Sequence, residues 1–221
     1  MFSFSSRLAA QSPQRRLPLL LRLSLGVAGT FAALSLAVLP AASAQAASTG
    51  ACTAGGELSQ PFAQWGDSNS YELVPGGDFE GALSGWTLSG SAQQVAESEP
   101  YGATGSVGSS SLELPAGASA QSPSVCVDAS YPSFRFFARD DIGHVSTVLV
   151  HVVFKTSLGL TLSLPVGVLV LRGEWQPTQT MLTDSTVTGL LSGGATQVAF
   201  RFTALSGSSR IDDVFIDPRM R

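Results

Sequence analysis

From Thr147 to Lys155 the chain alternates without a break. Val148, Val150, Val152 and Phe154 fall on one side, and Thr147, Leu149, His151, Val153 and Lys155 fall on the other. The same period of two returns in Gln197–Thr203, where Val198, Phe200 and Phe202 oppose Gln197, Ala199, Arg201 and Thr203. Side chains repeat every two residues along a pleated strand, so each run predicts a strand with one face in a core. Phe134 and Phe136, alternating with Arg135 and Phe137, predict a third. Further strands are predicted over Tyr71–Val74, Trp86–Ser89, Ser111–Leu114, Leu160–Leu164, Val168–Leu171, Thr178–Leu182 and Ile211–Ile216. No segment carries sustained 3.6-residue patterning, and 23 Gly and 12 Pro break the chain into short runs. The predicted class is therefore all-β, with short strands stacked as two antiparallel sheets. The alternation of strands with helices that a dinucleotide-binding domain requires is absent.

The first 44 residues read as an export signal. Arg7, Arg15, Arg16 and Arg22 form a basic region without a carboxylate, Leu23–Leu39 is apolar or small, and Ala42-Ser-Ala44 supplies the small-x-small pattern for cleavage. The alternative is a retained membrane anchor, for which the apolar run is short. Residues 45–70 form an arm whose Cys52, Phe62 and Trp65 predict order. The sandwich is expected over residues 71–217, with 218–221 as a tail. A secreted, extracellular location follows, with no membrane contact after cleavage.

Charge narrows the partners. Losing residues 1–44 removes four of the twelve basic residues and none of the sixteen acidic ones, which leaves a net charge of −8. An acidic domain whose only lysine is Lys155 is poorly suited to nucleic acid. Its carboxylates suit calcium, a hard cation that prefers oxygen. Cys52 and Cys126 are the two cysteines. In an oxidising compartment they are expected to form a disulfide tethering the arm to a strand at Ser124–Val127. The rival use of Cys52 is lipid attachment, which would leave Cys126 as a free thiol.

Enzyme templates fail. His144 and His151 stand seven residues apart and make no zinc pair. There is no Gly-x-Ser-x-Gly elbow, phosphate loop or dinucleotide fingerprint. The carboxylate pairs Glu97/Glu99 and Asp140/Asp141 are read as solvated turn residues rather than glycosidase acids. The sequence predicts no catalytic residue and no organic cofactor.

Val74-Pro-Gly-Gly-Asp-Phe-Glu80, then Gly85-Trp86, Gly173-Glu-Trp175 and the closing Ile211-Asp-Asp-Val214 resemble the carbohydrate-binding-module-like, galactose-binding-like jelly-roll superfamily. The chain as a whole also resembles a group of secreted bacterial proteins of unassigned function. The resemblance implies a jelly-roll β-sandwich and a structural calcium held by Asp78, Glu80 and Asp213, where the ends of the first and last strands meet. Gly76, where the superfamily often has Asn, departs from the pattern. The competing reading gives Asp78 a turn and pairs Asp212 or Asp213 with an arginine such as Arg210.

Trp86 and Trp175 are expected in the core. Trp65 and Tyr101, in arm and loop contexts, are the candidate sugar platforms, since a ring face packs on the C–H face of a pyranose. Arg135, His151 and Arg201 lie on the non-core side of their strands. They are candidates for one cationic patch if those strands are neighbours, the alternative being ion pairs with Asp140, Asp141 or Glu113. The expected function is a non-catalytic binding module for cell-wall or extracellular polysaccharide. The alternative is a structural or protein-interaction sandwich of the cell surface with no sugar site.

Overall fold

The computed structural model describes residues 56–127, 133–141, 143–183 and 196–217. The strands are β1 (Leu58–Ser59), β2 (Tyr71–Leu73), β3 (Thr87–Ser89), β4 (Gln93–Ala96), β5 (Ser110–Leu114), β6 (Ser119–Gln121), β7 (Val125–Val127), β8 (Ser133–Asp140), β9 (Ser146–Lys155), β10 (Thr161–Leu171), β11 (Gln176–Pro177), β12 (Met181–Leu182), β13 (Thr196–Ser206) and β14 (Ser209–Asp217). A single 3-10 turn at Ala63–Trp65 is the one helical element among the described residues.

Two antiparallel sheets form the sandwich. In the eight-stranded sheet β14 lies at the centre, with β8 on one side and β5 and then β2 on the other. β4 extends β5, β1 extends β2, and β11 and β12 flank β8. In the six-stranded sheet β13 is central, with β9 and then β10 on one side and β6, β7 and the outlying β3 on the other.

The alternating runs meet between the sheets. Val148, Val150 and Val152 of β9 and Val198, Phe200 and Phe202 of β13 are fully buried. They face Leu112, Leu114, Phe134, Phe136 and Ile211 of the opposite sheet within one apolar cluster. Phe134 stacks on Phe200 at 4.1 Å between ring centroids, and Phe136 meets Phe202 edge-on at 4.9 Å. Each fully buried Val or Phe contributes about 1.5–3 kcal/mol of transfer free energy. Trp86 joins this core and donates its indole N–H to the Pro75 carbonyl at 3.1 Å.

Several expected elements are redrawn. Leu160–Leu164 and Val168–Leu171 are two parts of one strand, β10, with a bulge between Pro165 and Gly167. Pro165 looked like a break because proline lacks an N–H. Among the described residues β10 pairs only with β9, and proline is tolerated on an edge strand where a ladder bond is not needed. The short strands β1, β4 and β6 carry too little alternation to register in the sequence. β14 is likewise interrupted between Asp212 and Phe215, where it leaves β5 and takes up β2. At that step Val214 N–H donates to Gly77 O, its carbonyl accepts from Val74 N–H, and Asp213 adopts a left-handed φ of 48°.

The arm crosses the outer face of the eight-stranded sheet. Phe62 is fully buried in a second apolar cluster with Tyr71, Phe137, Trp175 and Phe215. It stacks on Phe137 at 5.3 Å and meets Tyr71 and Phe215 edge-on at 4.9 and 5.7 Å. These outer-face aromatics of β2, β8 and β14 would otherwise be an exposed apolar patch, and the arm is their cover. Cys126 lies on β7 opposite Gln197, while Cys52 lies outside the described residues, so the expected tether stays a proposal.

Candidate functional site

Three places hold the residues singled out from the sequence. The first is the covered face. Trp65 and Tyr101 do come together, edge to face at 4.8 Å, and both lean on Phe137. Tyr101 donates its hydroxyl to the Trp175 carbonyl at 2.7 Å and is 38% exposed. The pair closes the rim of the arm cluster. Arg135 belongs to the same face. Its Nη1 lies 2.6 Å from Asp67 Oδ2, its Nε donates to Thr178 O, and its guanidinium stacks 4.3 Å above Phe62. Asp67 accepts from the Tyr71 hydroxyl as well. Burial opposes ionisation of Asp67, but the hydrogen bonds from Tyr71 and Arg135 outweigh it and lower its pKa. Arg135 thus anchors the arm and stands apart from the other two members of the expected cationic patch.

The second place is a group of carboxylates where β14 changes partner. Asp212 is fully buried; its Oδ2 accepts from Ser98 Oγ and Glu99 N–H, and its Oδ1 from Asp213 N–H. Glu99, 1% exposed, accepts from the backbone N–H groups of Tyr101 and Ala103 and is hydrogen-bonded to Asp213. A hydrogen bond between two carboxyls requires a proton on one of them. Burial and then the charges of Asp212, Glu99 and Asp78 push Asp213 up to about 9. Burial raises Asp212 to about 7 despite its hydrogen bonds. Asp78 is near enough to act on Asp213. Glu80 is not part of the group: its oxygens accept from Ser109 N–H, Ser109 Oγ and Ser110 N–H.

Asp78 and Asp213 thus approach one another without Glu80, and the calcium implied by the resemblance stays a proposal. Glu80 is spent on a turn, and among the described residues no group of three or more His, Cys, Asp or Glu side chains is arranged to hold a metal ion. Nor does the competing pairing form, because Arg210 binds Asp141 and Glu97. Of the turn-like carboxylates expected to be solvated, Glu97 is exposed, Asp141 is half-buried, and Glu99 and Asp140 are buried; Glu97 and Asp141 both lie within ion-pairing distance of Arg139 and Arg210. The sequence signal for Glu99 and Asp212 was weak, since nothing local distinguishes a buried carboxylate from a solvated one.

The third place is the outer face of the six-stranded sheet. Antiparallel register puts Arg201 beside His151 on β9 and Gln121 on β6; beyond them stand Pro165 on β10 and Thr87 on β3. One row of side chains thus crosses all five strands of the sheet's main path. The next row is Ser89, Ser119, Thr203, Leu149 and Val168. Thr87, Pro165, Val168 and Val170 are exposed; Gln121, His151 and Arg201 are half-buried; Val153 and Ala199, one row the other way, are buried. Arg201 directs Nε and Nη2 at Gln121 Oε1, at 3.1 and 2.8 Å. His151 Nδ1 is buried without a hydrogen-bond partner. Burial and then the Arg201 charge lower the His151 pKa, which favours the neutral ring. A cavity of about 510 Å³ opens at the neighbouring edge of the sandwich, lined by Val168, Val170, Arg172, Glu174, Gln176 and Thr178 among others.

No protein-family model matches the chain, and no curated protein matches it. Solved structures of carbohydrate-binding modules of families 22 and 11 are similar to it in structure. The family 22 carbohydrate-binding and GH10 modules of a Clostridium thermocellum endo-1,4-β-D-xylanase, complexed with xylohexaose, align over 64% of this chain and 28% of that one, with a TM-score of 0.46 and 15% identity. A family 22 xylan-binding domain from Paenibacillus barcinonensis aligns over 63% and 90%, with a TM-score of 0.46 and 15% identity. A Clostridium thermocellum family 11 module, in complex with a β-1,3-1,4-mixed-linked tetrasaccharide, aligns over 63% and 91%, with a TM-score of 0.41 and 14% identity.

Proposed function

We propose that this chain is a secreted, non-catalytic binding module for a cell-wall or extracellular polysaccharide, and that its site is the outer face of the six-stranded sheet. The observation that carries the reading is the row Thr87–Gln121–Arg201–His151, with hydroxyls of Ser89, Ser119 and Thr203 beside it. A flat array of hydroxyl, amide and guanidinium groups suits a ligand that offers many hydroxyls, and Leu149 and Val168 give its C–H faces something to rest on. The arm covers the aromatics of the other outer face, which favours the six-stranded sheet as the surface for a long polymer. A non-catalytic role is supported by the placement of the carboxylates. None lies on the strands of this sheet, and the buried group around Asp213 is held by internal hydrogen bonds.

A second reading, a protein-interaction sandwich, is favoured by the exposed aliphatic side chains Val168, Val170 and Leu182. Binding of the purified protein to a panel of bacterial and plant polysaccharides separates the two. Retention by at least one polymer, abolished by Arg201→Ala together with Gln121→Ala, is the expected result. Silence across the panel from a folded protein would sink the glycan reading and leave the protein-interaction one.

A further inference from the structure

The charges of this molecule are segregated between its sheets. The eight-stranded sheet carries Glu72, Glu113, Asp140, Asp212, Asp213 and Asp217 on its strands, with Arg135, Arg139 and Arg210 among them. The strands of the six-stranded sheet carry no Asp or Glu. Their charged side chains are Lys155 and Arg201, and His151 and Cys126 are the further titratable groups. In a chain with twice as many carboxylates as basic groups after loss of its leader, the described strands of one sheet carry no carboxylate.

Arg201 is also placed differently from the other strand arginines. Arg135 is paired with Asp67, Arg139 with Glu97 and Asp141, and Arg210 with the same two carboxylates. Among the described residues no carboxylate pairs with Arg201. Its partner is the neutral carbonyl oxygen of Gln121, which orients the guanidinium and leaves its charge uncompensated. Both bonds use the Nε–Nη2 edge, so the Nη1–Nη2 end of the planar fork stays available. Next to it His151 presents a buried, unsatisfied Nδ1. A half-buried guanidinium is worth more to an anion than one in open water.

We infer that this face takes an anionic glycan, a uronic-acid polymer, with the sugar carboxylate on the free edge of Arg201. The inference rests on the polysaccharide reading and narrows its ligand class. A carboxylate matches the guanidinium fork in geometry, and one monoanion matches one uncompensated positive charge. Thr87, Ser89, Ser119 and Thr203 then meet the hydroxyls of the sugar carrying that carboxylate and of its neighbours. Gln121 is a positioning residue, since it acts by holding Arg201.

The test uses polygalacturonate and polymannuronate, each paired with its carboxyl-reduced, neutral form, and titrates them against the purified protein. The acidic polymer of at least one pair is expected to bind about tenfold more tightly than its neutral form, the worth of one charge-assisted hydrogen bond. That preference should shrink as salt is raised. Arg201→Gln should erase the preference, and Gln121→Leu should weaken it while leaving Arg201 in place. Thermal unfolding of both variants checks that they fold, and Gln121→Leu keeps the test valid if Arg201→Gln does not. Equal binding of acidic and neutral forms overturns the uronate assignment and leaves the polysaccharide reading standing. Tighter binding to a glycerol-phosphate polymer than to either uronate also overturns it. Binding to no polysaccharide removes both.

Discussion

Arg135 and Asp67 are bound at 2.6 Å across the boundary between the sheet and the arm that covers it. The pair is largely shielded, with side-chain exposures of 10% and 16%, and Tyr71 donates its hydroxyl to the same Asp67 oxygen. Removing one partner strands the other in a poorly hydrated place. Asp67→Asn or Arg135→Met is therefore expected to cost about 2 kcal/mol in denaturant unfolding. The pH dependence has a definite sign. Asp67 has a lowered pKa in the folded state, so its contribution is complete above the unfolded carboxylate value and is lost as pH falls through the folded one. A wild-type stability curve falling below about pH 4, and flatter in Asp67→Asn, is the expected pattern. Equal acid sensitivity in both proteins would separate the clamp from that fall.

The carboxylates around Asp213 act in the opposite sense. Their folded pKa values are raised, to about 7 for Asp212 and about 9 for Asp213. Their contribution is full below the ordinary carboxylate range and is lost as pH climbs through the folded values. The melting temperature is therefore expected to drop by several degrees, on the order of 1–2 kcal/mol, between pH 5 and pH 9. Asp213→Asn should flatten that slope, because it keeps a donor toward Glu99 and cannot ionise. Millimolar calcium at pH 8 tests the ion implied by the resemblance. A rise of several degrees would mean that the carboxylates accept a cation in place of the proton, and an unchanged melting temperature would remove it.

The disulfide offers a third check. With export, Cys52 and Cys126 are expected to be joined, and mass spectrometry of the alkylated protein should show no free thiol. Reduction, or Cys52→Ser with Cys126→Ser, is expected to lower stability by about 4 kcal/mol on the chain-entropy account. Two alkylated thiols in protein recovered from an oxidising compartment would remove the tether.

The sandwich was legible because period-two alternation is a direct imprint of a half-buried pleat. Val148–Phe154 and Val198–Phe202 read as inward faces, and both are. The sites were less legible, because strand pairing is non-local. Arg135, His151 and Arg201 look equivalent in sequence, each an outward residue on a strand. Only the register shows that Arg201 faces His151 while Arg135 belongs to the other sheet. The acidic ends do converge, as Asp78 and Asp213 show. Which carboxylates share the convergence depends on the bulge in β14 and the loop bearing Glu99, and no short motif records either.

The two outer faces make separable predictions. Trp65 and Tyr101 were the aromatic candidates for a sugar platform, yet each rests on Phe137 beneath the arm, on the sheet away from Arg201. If polysaccharide lies on the six-stranded sheet, Trp65→Ala should leave its affinity within about twofold while costing about 2–4 kcal/mol of stability, through lost aromatic packing. Arg201→Ala should do the reverse, abolishing binding with a stability change of about 1 kcal/mol, since its partner is one neutral, half-buried amide. Affinity and unfolding measured on the same two variants decide between the faces. Loss of binding in Trp65→Ala at full structural integrity would move the ligand to the arm and Tyr101, and would make the row at Arg201 a solvated strand surface.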